Sequence, residues 1–398
     1  MSTPPGLFAR ELAGLAIADL AERSRRASPA QVDALLRRVA PAGADPGRPA
    51  PGSGQLGLED LAVLLSPAAG QRLEELAHAA RTTTLRRFGR AVRLFAPLYV
   101  SNACLSSCTY CGFAKGLAVT RRTLDLDEVE AEGRLLADRG FRHLLLVSGE
   151  HRVEVSADYL VGVVERLRPL FPSLSIETQT WSDDTYARLV RAGLEGVVHY
   201  QETYDRTRYA QVHVAGWKRD YDRRLSSFER AASAGARRLG IGALLGLAAD
   251  WRADVLALGA HAAFLTRRYW RTEVSVALPR MKPSASAFPP VVVVSDAEFV
   301  QAHAALRLFG PDLALSLSTR EPPGMRDGLA RIAVTTMSAG SSTEPGGYAA
   351  PGTAGEQFSI SDERPPAEVA AMLVAAGYEP VWKDAFPLYG GNLAGQSY

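Results

Sequence analysis

Cys104, Cys108 and Cys111, in the string CLSSCTYCGF, are all the cysteines of this 398-residue chain. A closed structural zinc site generally uses four protein ligands. Three thiolates at C-x3-C-x2-C spacing suit a cubane 4Fe-4S cluster, which one short loop can wrap while one iron keeps a free position. That open iron is where chemistry would occur. The competing readings are a structural zinc loop and three buried thiols without a metal.

Further polar strings carry side chains able to bind or orient a ligand: SGEH with Glu150, QETYD with Glu202, LPRMKP with Arg280, STREPPGMRD with Arg320, and SAGSSTEPGGY. Each lies just behind a short apolar run, which is where a strand would end.

The elements that must hold these strings read as alternating strands and helices. Strands are expected at Leu94–Val100, His143–Val147, Ser175–Thr178, Gly196–His199, Leu239–Gly242, Glu273–Ala277, Ala314–Leu317 and Ile332–Thr335. Helices are expected at Leu126–Arg139, Ala157–Arg168, Asp183–Ala192, Tyr221–Ala234, Ala253–Arg268, Asp296–Phe309 and Met325–Ala330. This rhythm predicts an α/β fold, a (β/α)8 barrel of the TIM type, with a doubly wound open sheet as the alternative. In a barrel the polar strings all reach the C-terminal rim, where active sites form.

Residues 1–90 read as a helical extension, with helices in LFARELAGLAIADLAERS, PAQVDALLRRVAP and SPAAGQRLEELAHAARTTTLRRFG around the Pro/Gly-rich connector PAGADPGRPAPGSGQLG. The barrel is expected over 91–340. An extension over 341–398 is expected to pack on it, with a helix near Pro366–Ala376 and an apolar piece at Val381–Trp382.

Composition narrows the function classes. Hydrophobic residues are 47% of the chain, enough for a large core, and the formal net charge is only +2. Only Lys115, Lys218, Lys282 and Lys383 are lysines, and the arginines are scattered rather than gathered into a stripe, so nothing argues for nucleic acid. No apolar stretch is long enough to span a bilayer, the N-terminus lacks a secretion signal, and three reduced thiols fit the cytoplasm.

The cysteine loop resembles that of the radical S-adenosylmethionine superfamily, CxxxCxφC, with Tyr110 at the aromatic position. LFAPLYVSNACLSSCTYCGF, HLLLVSGEH, VVHYQETYDRTRY, GIGALLGLAADWR, YWRTEVSVALPRMKP, LSLSTREPPGMRD, STEPGGYA and PVWKD are similar to the aromatic amino acid lyase branch, and within it to the 2-iminoacetate synthases.

The resemblance implies S-adenosylmethionine bound at the open iron, with its one-electron cleavage giving a 5′-deoxyadenosyl radical. Tyr110 would lie near the adenine, beside the strand end GIGALLGL. Glu150 would meet the methionine ammonium, although serine replaces the first glycine of the family's GGE-like motif at Ser148. Glu177, Glu202 and Arg280 would serve the cofactor's ribose and carboxylate or, as the alternative, structural ion pairs. Arg320 would clamp the substrate carboxylate bidentately, aided by Ser338, unless it only pairs with Glu321. Tyr99 would line the substrate pocket.

The implied reaction cuts L-tyrosine at Cα–Cβ into 2-iminoacetate and p-cresol, with thiazole synthase receiving the imine and a flavodoxin or ferredoxin supplying electrons. A tryptophan lyase or another aromatic lyase of secondary metabolism is the enzymatic alternative, and a zinc-stabilised binding module the non-enzymatic one. No cysteine follows Cys111, which argues against a second cluster that would convert the glycine fragment to carbon monoxide and cyanide.

Overall fold

The computed structural model describes residues 4–39 and 56–382. Most of the Pro/Gly-rich connector, and Lys383 and Asp384 of PVWKD, lie outside the described residues.

Eight parallel strands form a closed ring: β1 (Ala91–Ser101), β2 (His143–Ser148), β3 (Ser173–Glu177), β4 (Gly196–Glu202), β5 (Arg238–Ala243), β6 (Glu273–Ala277), β7 (Ala314–Leu317) and β8 (Thr336–Ser338). Closure is made by β1, which pairs with β2 through Leu98↔Leu146 and with β8 through Leu94↔Met337. The open-sheet alternative is thereby excluded. Strands covered on both faces read as near-continuous apolar runs, and β1 and β2 accordingly bury almost every side chain.

The eighth strand is a correction. Ile332–Thr335, expected as a strand for its β-branched residues, forms a turn and a connector, and the pairing segment is Thr336–Ser338. The helix before it, Pro323–Ala330, runs on through the turn, where Ala333 N and Val334 N still donate to Leu329 O. Local β-propensity lost to that helix ending.

Three expected helices are broken, one of them the third N-terminal string, which divides into Pro67–Gly70 and Leu73–Phe88. Tyr221–Ala234 divides into Tyr221–Leu225 and Ser227–Ser233, and the Ser226 hydroxyl at the joint donates to Asp222 O at 2.7 Å. The first N-terminal string divides into Leu7–Ala13 and Ile17–Arg25. Unexpected elements include helices at Leu58–Leu64 and at Arg206–Val212, the latter N-capped by Asp205, a short 3-10 turn at Trp217–Arg219, and a ninth strand, β9 (Glu379–Val381), alongside Ala91–Arg93 of β1. β9 extends the sheet at the N-terminal mouth, where Trp382 meets Phe141 edge to face at 5.4 Å.

The N-terminal helices pack outside the ring against the helices Trp251–Arg268 and Asp296–Phe309. Residues 341–365 cross the C-terminal mouth. They are pinned there by the fully buried pair Arg326–Asp362 and by Ser361 N and Asp362 N donating to Thr319 O. No helix among the described residues is long and apolar enough to cross a membrane.

Candidate active site

The cysteine loop leaves β1 at Ser101 and is tied on three sides by backbone bonds. Leu105 N donates to Glu150 O at 2.8 Å, behind β2; Ser107 N and Thr109 N donate to Ala215 O and Val212 O, behind β4; and Gly112 N donates to Gln357 O at 3.1 Å, in the covering segment. Arg121 reinforces it from below, its guanidinium reaching Asn102 O at 2.7 Å, Phe113 O at 2.9 Å and Ala114 O at 2.8 Å. Two glycines are demanded by closeness. A Cβ on Gly149 would stand 2.3 Å from Ala103 O, and one on Gly112 would stand 2.6 Å from Gln357 O.

Two of the three sulfurs already accept backbone donors: Cys104 Sγ from Glu150 N and Cys111 Sγ from Phe113 N, both at 3.4 Å. Burial pushes the Cys104 thiol up to about 11, Cys108 well above its ordinary value, and Cys111 upward, with Lys218 opposing the shift at Cys108 and Cys111. Thiolates in this loop therefore need a cationic core beside them. Among the described residues no group of three or more His, Cys, Asp or Glu side chains is placed to hold one metal ion. Three thiols spaced along a loop, with N–H groups aimed at sulfur, fit the corners of a cubane better than a single ion.

A belt of buried charge surrounds the loop. Glu150 accepts from Ser106 Oγ at 2.8 Å and pairs with Arg224 at 3.3 Å. Glu202 pairs with Lys218 at 2.6 Å and lies 4.0 Å from the same Arg224. Glu202 has φ +70°, at an irregularity where β4 slips against β5 after Tyr200, and this strained residue aims its carboxylate at Lys218. Lys218 and Arg224 escaped the sequence reading because neither stands in a recognisable string, and Ser106, inside CLSSCTYCGF, because a serine between cysteines carries no signal of its own.

Tyr110 packs with Val212, Leu244, Leu247, Met281 and Phe288, so the GIGALLGL strand end and the tyrosine do share one apolar wall. Its hydroxyl lies 2.8 Å from His213 Nε2. His213 Nδ1 lies 2.8 Å from Tyr209 O, a carbonyl that can only accept, and burial pushes this imidazole down to about 2. The neutral ring thus carries its proton on Nδ1, and Tyr110 donates to Nε2.

Beside the belt the barrel mouth opens into a cavity whose wall includes Tyr99, Glu177, Tyr200, Arg320, Ser338 and Gln357. Arg320 stacks on Phe358, its guanidinium carbon 3.2 Å from the ring centroid, and has no carboxylate partner among the described residues. The expected alternative partner, Glu321, is instead held by Arg280, whose Nε lies 3.1 Å from both carboxylate oxygens. Ser338 Oγ accepts from Thr319 N at 3.2 Å, which leaves its proton to donate elsewhere. Tyr99 donates to Gln357 Oε1 at 2.7 Å and packs edge to face on Phe113, linking the cavity to the cysteine loop. Glu177 is pushed up to about 7 by burial and by Glu202, against Lys218, Arg224 and Arg320.

The three cysteines, Tyr110, Glu150 and Glu202 thus meet around the loop, and Tyr99, Glu177, Arg320 and Ser338 meet in the adjoining cavity. Arg280 joins neither group. Its donors are spent on Glu321, on Asp296 at 2.7 Å and on Val294 O at 3.1 Å, the arrangement of a structural ion pair. Gln357 and Phe358 were missed because they come from a covering segment that carries no periodic pattern.

Residues 98–257 match the model of the radical SAM superfamily, and residues 277–379 match that of the biotin and thiamin synthesis associated domain, which runs across the boundary expected at 340. The chain is 43% identical to the 2-iminoacetate synthase of Escherichia coli (strain K12) over 330 residues, 83% of this chain and 88% of that one. It is 43% identical to that of Salmonella typhimurium over 329 residues, 83% and 87% of the two chains. Among solved structures, the FeFe-hydrogenase maturase HydG from Carboxydothermus hydrogenoformans superposes with a TM-score of 0.84 at 28% identity, covering 94% of this chain and 85% of that one. With a three-thiol loop beside a cavity whose arginine is free for a carboxylate, and with these relatives, the chain belongs to the 2-iminoacetate synthase family of radical S-adenosylmethionine enzymes.

Proposed function

We propose that this protein cleaves the Cα–Cβ bond of L-tyrosine to 2-iminoacetate and p-cresol, and that the imine supplies the thiazole of thiamine. The observation that carries the reading is the Arg320 guanidinium, held over the Phe358 ring in a cavity next to the cysteine loop with no carboxylate partner among the described residues. A buried guanidinium in this state is a receptor for an amino acid carboxylate, which it can grip with two parallel N–H bonds.

When bound, a 4Fe-4S cluster with S-adenosylmethionine supplies a 5′-deoxyadenosyl radical. Cys104, Cys108 and Cys111 would hold the cluster. Glu150 and Glu202 would offer carboxylates to the cofactor's ammonium and ribose hydroxyls, and Tyr110 would offer its ring to adenine. Arg320 and Ser338 would fix the tyrosine carboxylate, leaving the amino group and Cβ facing the loop. Phe95, Leu145, Val147 and Leu317 on the cavity wall keep water away from a reactive fragment. Glu177, on the wall between the two groups, can serve either the ribose or the substrate.

Because 2-iminoacetate hydrolyses in water, direct transfer to thiazole synthase would preserve it. A flavodoxin or ferredoxin would provide the electron, and the free thiols suit the cytoplasm. Anaerobic incubation of the reconstituted enzyme with S-adenosylmethionine, dithionite and either amino acid tests the proposal. p-Cresol and 5′-deoxyadenosine from tyrosine are expected; indole-derived products from tryptophan, with none from tyrosine, would overturn it.

A further inference from the structure

Four apolar side chains stand in solvent around the cysteine loop: Val153 is 80% exposed, Val214 56%, Trp217 43% and Leu105 37%. They come from three segments that the loop itself joins. Leu105 N donates to Glu150 O at 2.8 Å, Val214 N to Ser107 O at 3.2 Å, and Lys218 N to Ser106 Oγ at 3.4 Å. Burying such groups in a partner is favourable, whereas keeping them in water beside a buried charged belt brings no packing in return.

The rim of this face is basic. The Arg152 guanidinium lies 3.4 Å from the Trp217 ring centroid and Arg223 lies 5.2 Å from it, so two like charges flank one indole. Lys115 and Arg219 are exposed on the same segments, and Lys115 N donates to Ser106 O at 3.0 Å. The carboxylates of these segments are Glu150, Glu154, Asp220 and Asp222; Glu150 pairs with Arg224 at 3.3 Å, Asp222 pairs with Arg206 at 2.6 Å, and Asp220 is engaged in capping, its Oδ1 accepting from Arg223 N at 2.9 Å. Arginine and tryptophan at the centre of an apolar patch with a basic rim are the composition of a docking site for an acidic protein.

The position relative to the sulfurs gives the face its use. Leu105 follows Cys104 directly, and Cys104 Sγ accepts from Glu150 N, two residues before Arg152. One route of covalent bonds and one through that hydrogen bond therefore run from the sulfur to the exposed face.

We infer that the face made by Leu105, Val153, Val214 and Trp217 is where a small acidic one-electron carrier protein docks and reduces the cluster. In that step the carrier loses one electron and the cluster gains one, with no bond made or broken. The inference rests on the function proposed above.

The test uses holoenzyme carrying Val153→Glu, Arg219→Glu or Trp217→Ala, with a flavodoxin as the carrier. Val153→Glu and Arg219→Glu alter exposed side chains and leave the fold intact even if Trp217→Ala does not. Two readouts are taken: the Kd for oxidised flavodoxin at low and high salt, and the rate of cluster reduction, followed by electron paramagnetic resonance, by reduced flavodoxin and by dithionite. The expected result is binding and flavodoxin-driven reduction both weaker by about tenfold, dithionite-driven reduction within about twofold of the parent, and parent binding that weakens with salt.

Variants that bind and accept electrons from flavodoxin like the parent would overturn the inference. So would an equal loss with dithionite, which would make the face part of the cluster's own support. If the parent reduces its cluster but releases no p-cresol from tyrosine, the proposed function fails and the docking result still stands on binding and reduction.

Discussion

Arg280 holds Glu321 in an ion pair in which Nε lies 3.1 Å from both carboxylate oxygens, and this keeps Glu321 away from its chain neighbour Arg320. The side chain of Glu321 is 1% exposed and that of Arg280 17%, so the pair is largely shielded from water. Its consequence is a guanidinium one residue away that is left for a ligand.

Arg320→Met should raise the KM for tyrosine by about 10- to 100-fold, the scale of losing hydrogen bonds to a charged group. Iron and sulfide content after anaerobic reconstitution should equal the parent's. Ser338→Ala should act in the same direction with a smaller effect, about fivefold (~1 kcal/mol). Loss of iron alongside loss of binding would make Arg320 a structural residue.

Arg280→Met leaves Glu321 buried without its cation, at a cost of about 3–5 kcal/mol. The thermal midpoint should fall, and the freed carboxylate should compete for Arg320 and raise the KM. Adding Glu321→Gln in the same chain should restore most of the KM. A KM unchanged by Arg280→Met would show that the pair does not control Arg320.

Gly149→Ala should empty the cysteine loop without unfolding the barrel, because the new methyl would stand 2.3 Å from Ala103 O and 2.9 Å from Cys104 Cβ. Iron per chain after reconstitution should drop below about half of the parent's, a strain effect of roughly 1–3 kcal/mol concentrated on the loop. Circular dichroism should be unchanged. Arg121→Gln, which removes guanidinium bonds to the loop carbonyls, should show the same pattern.

Acid should weaken the fold through its buried histidines. Burial holds His303 down to about 4 and His261 to about 3, below the ordinary 6.5. A base whose folded value is depressed contributes stability that is present above about 6.5 and is lost as pH falls toward the folded value. Denaturant midpoints of the apoprotein should therefore fall between pH 7 and 5. His303→Leu, which gives up the bond to Phe299 O, should reduce that slope by up to about 1.4 kcal/mol per pH unit. An unchanged slope would mean that His303 titrates normally.

Strand periodicity and the C-x3-C-x2-C spacing were legible in the chain itself, because apolar runs at strand and helix length report burial directly. Asp183–Ala192, Glu273–Ala277, Asp296–Phe309 and Ala314–Leu317 fall where the pattern placed them. Thr336–Ser338 did not, since Ile332–Thr335 has the better intrinsic strand character and only the ending of the preceding helix displaces it. Arg206–Val212, with the sequence RTRYAQV, has no apolar stripe to announce a helix, and its Asp205 cap alone is a weak signal.

The sequence by itself determined the three thiols, the polar strings behind the strands and the alternation that closes a barrel, all of which are local in the chain. Only the tertiary structure decided which arginine is free. Arg280 and Arg320 both follow strands, and Glu321 adjoins Arg320 in the chain, yet their roles separate because Glu321 can neutralise one cation and turns to the remote Arg280. Lys218, Arg224 and Gln357 enter the site the same way, from positions remote in the chain. Charge pairing in a buried site depends on distances between segments, and those distances exist only once the ring has closed.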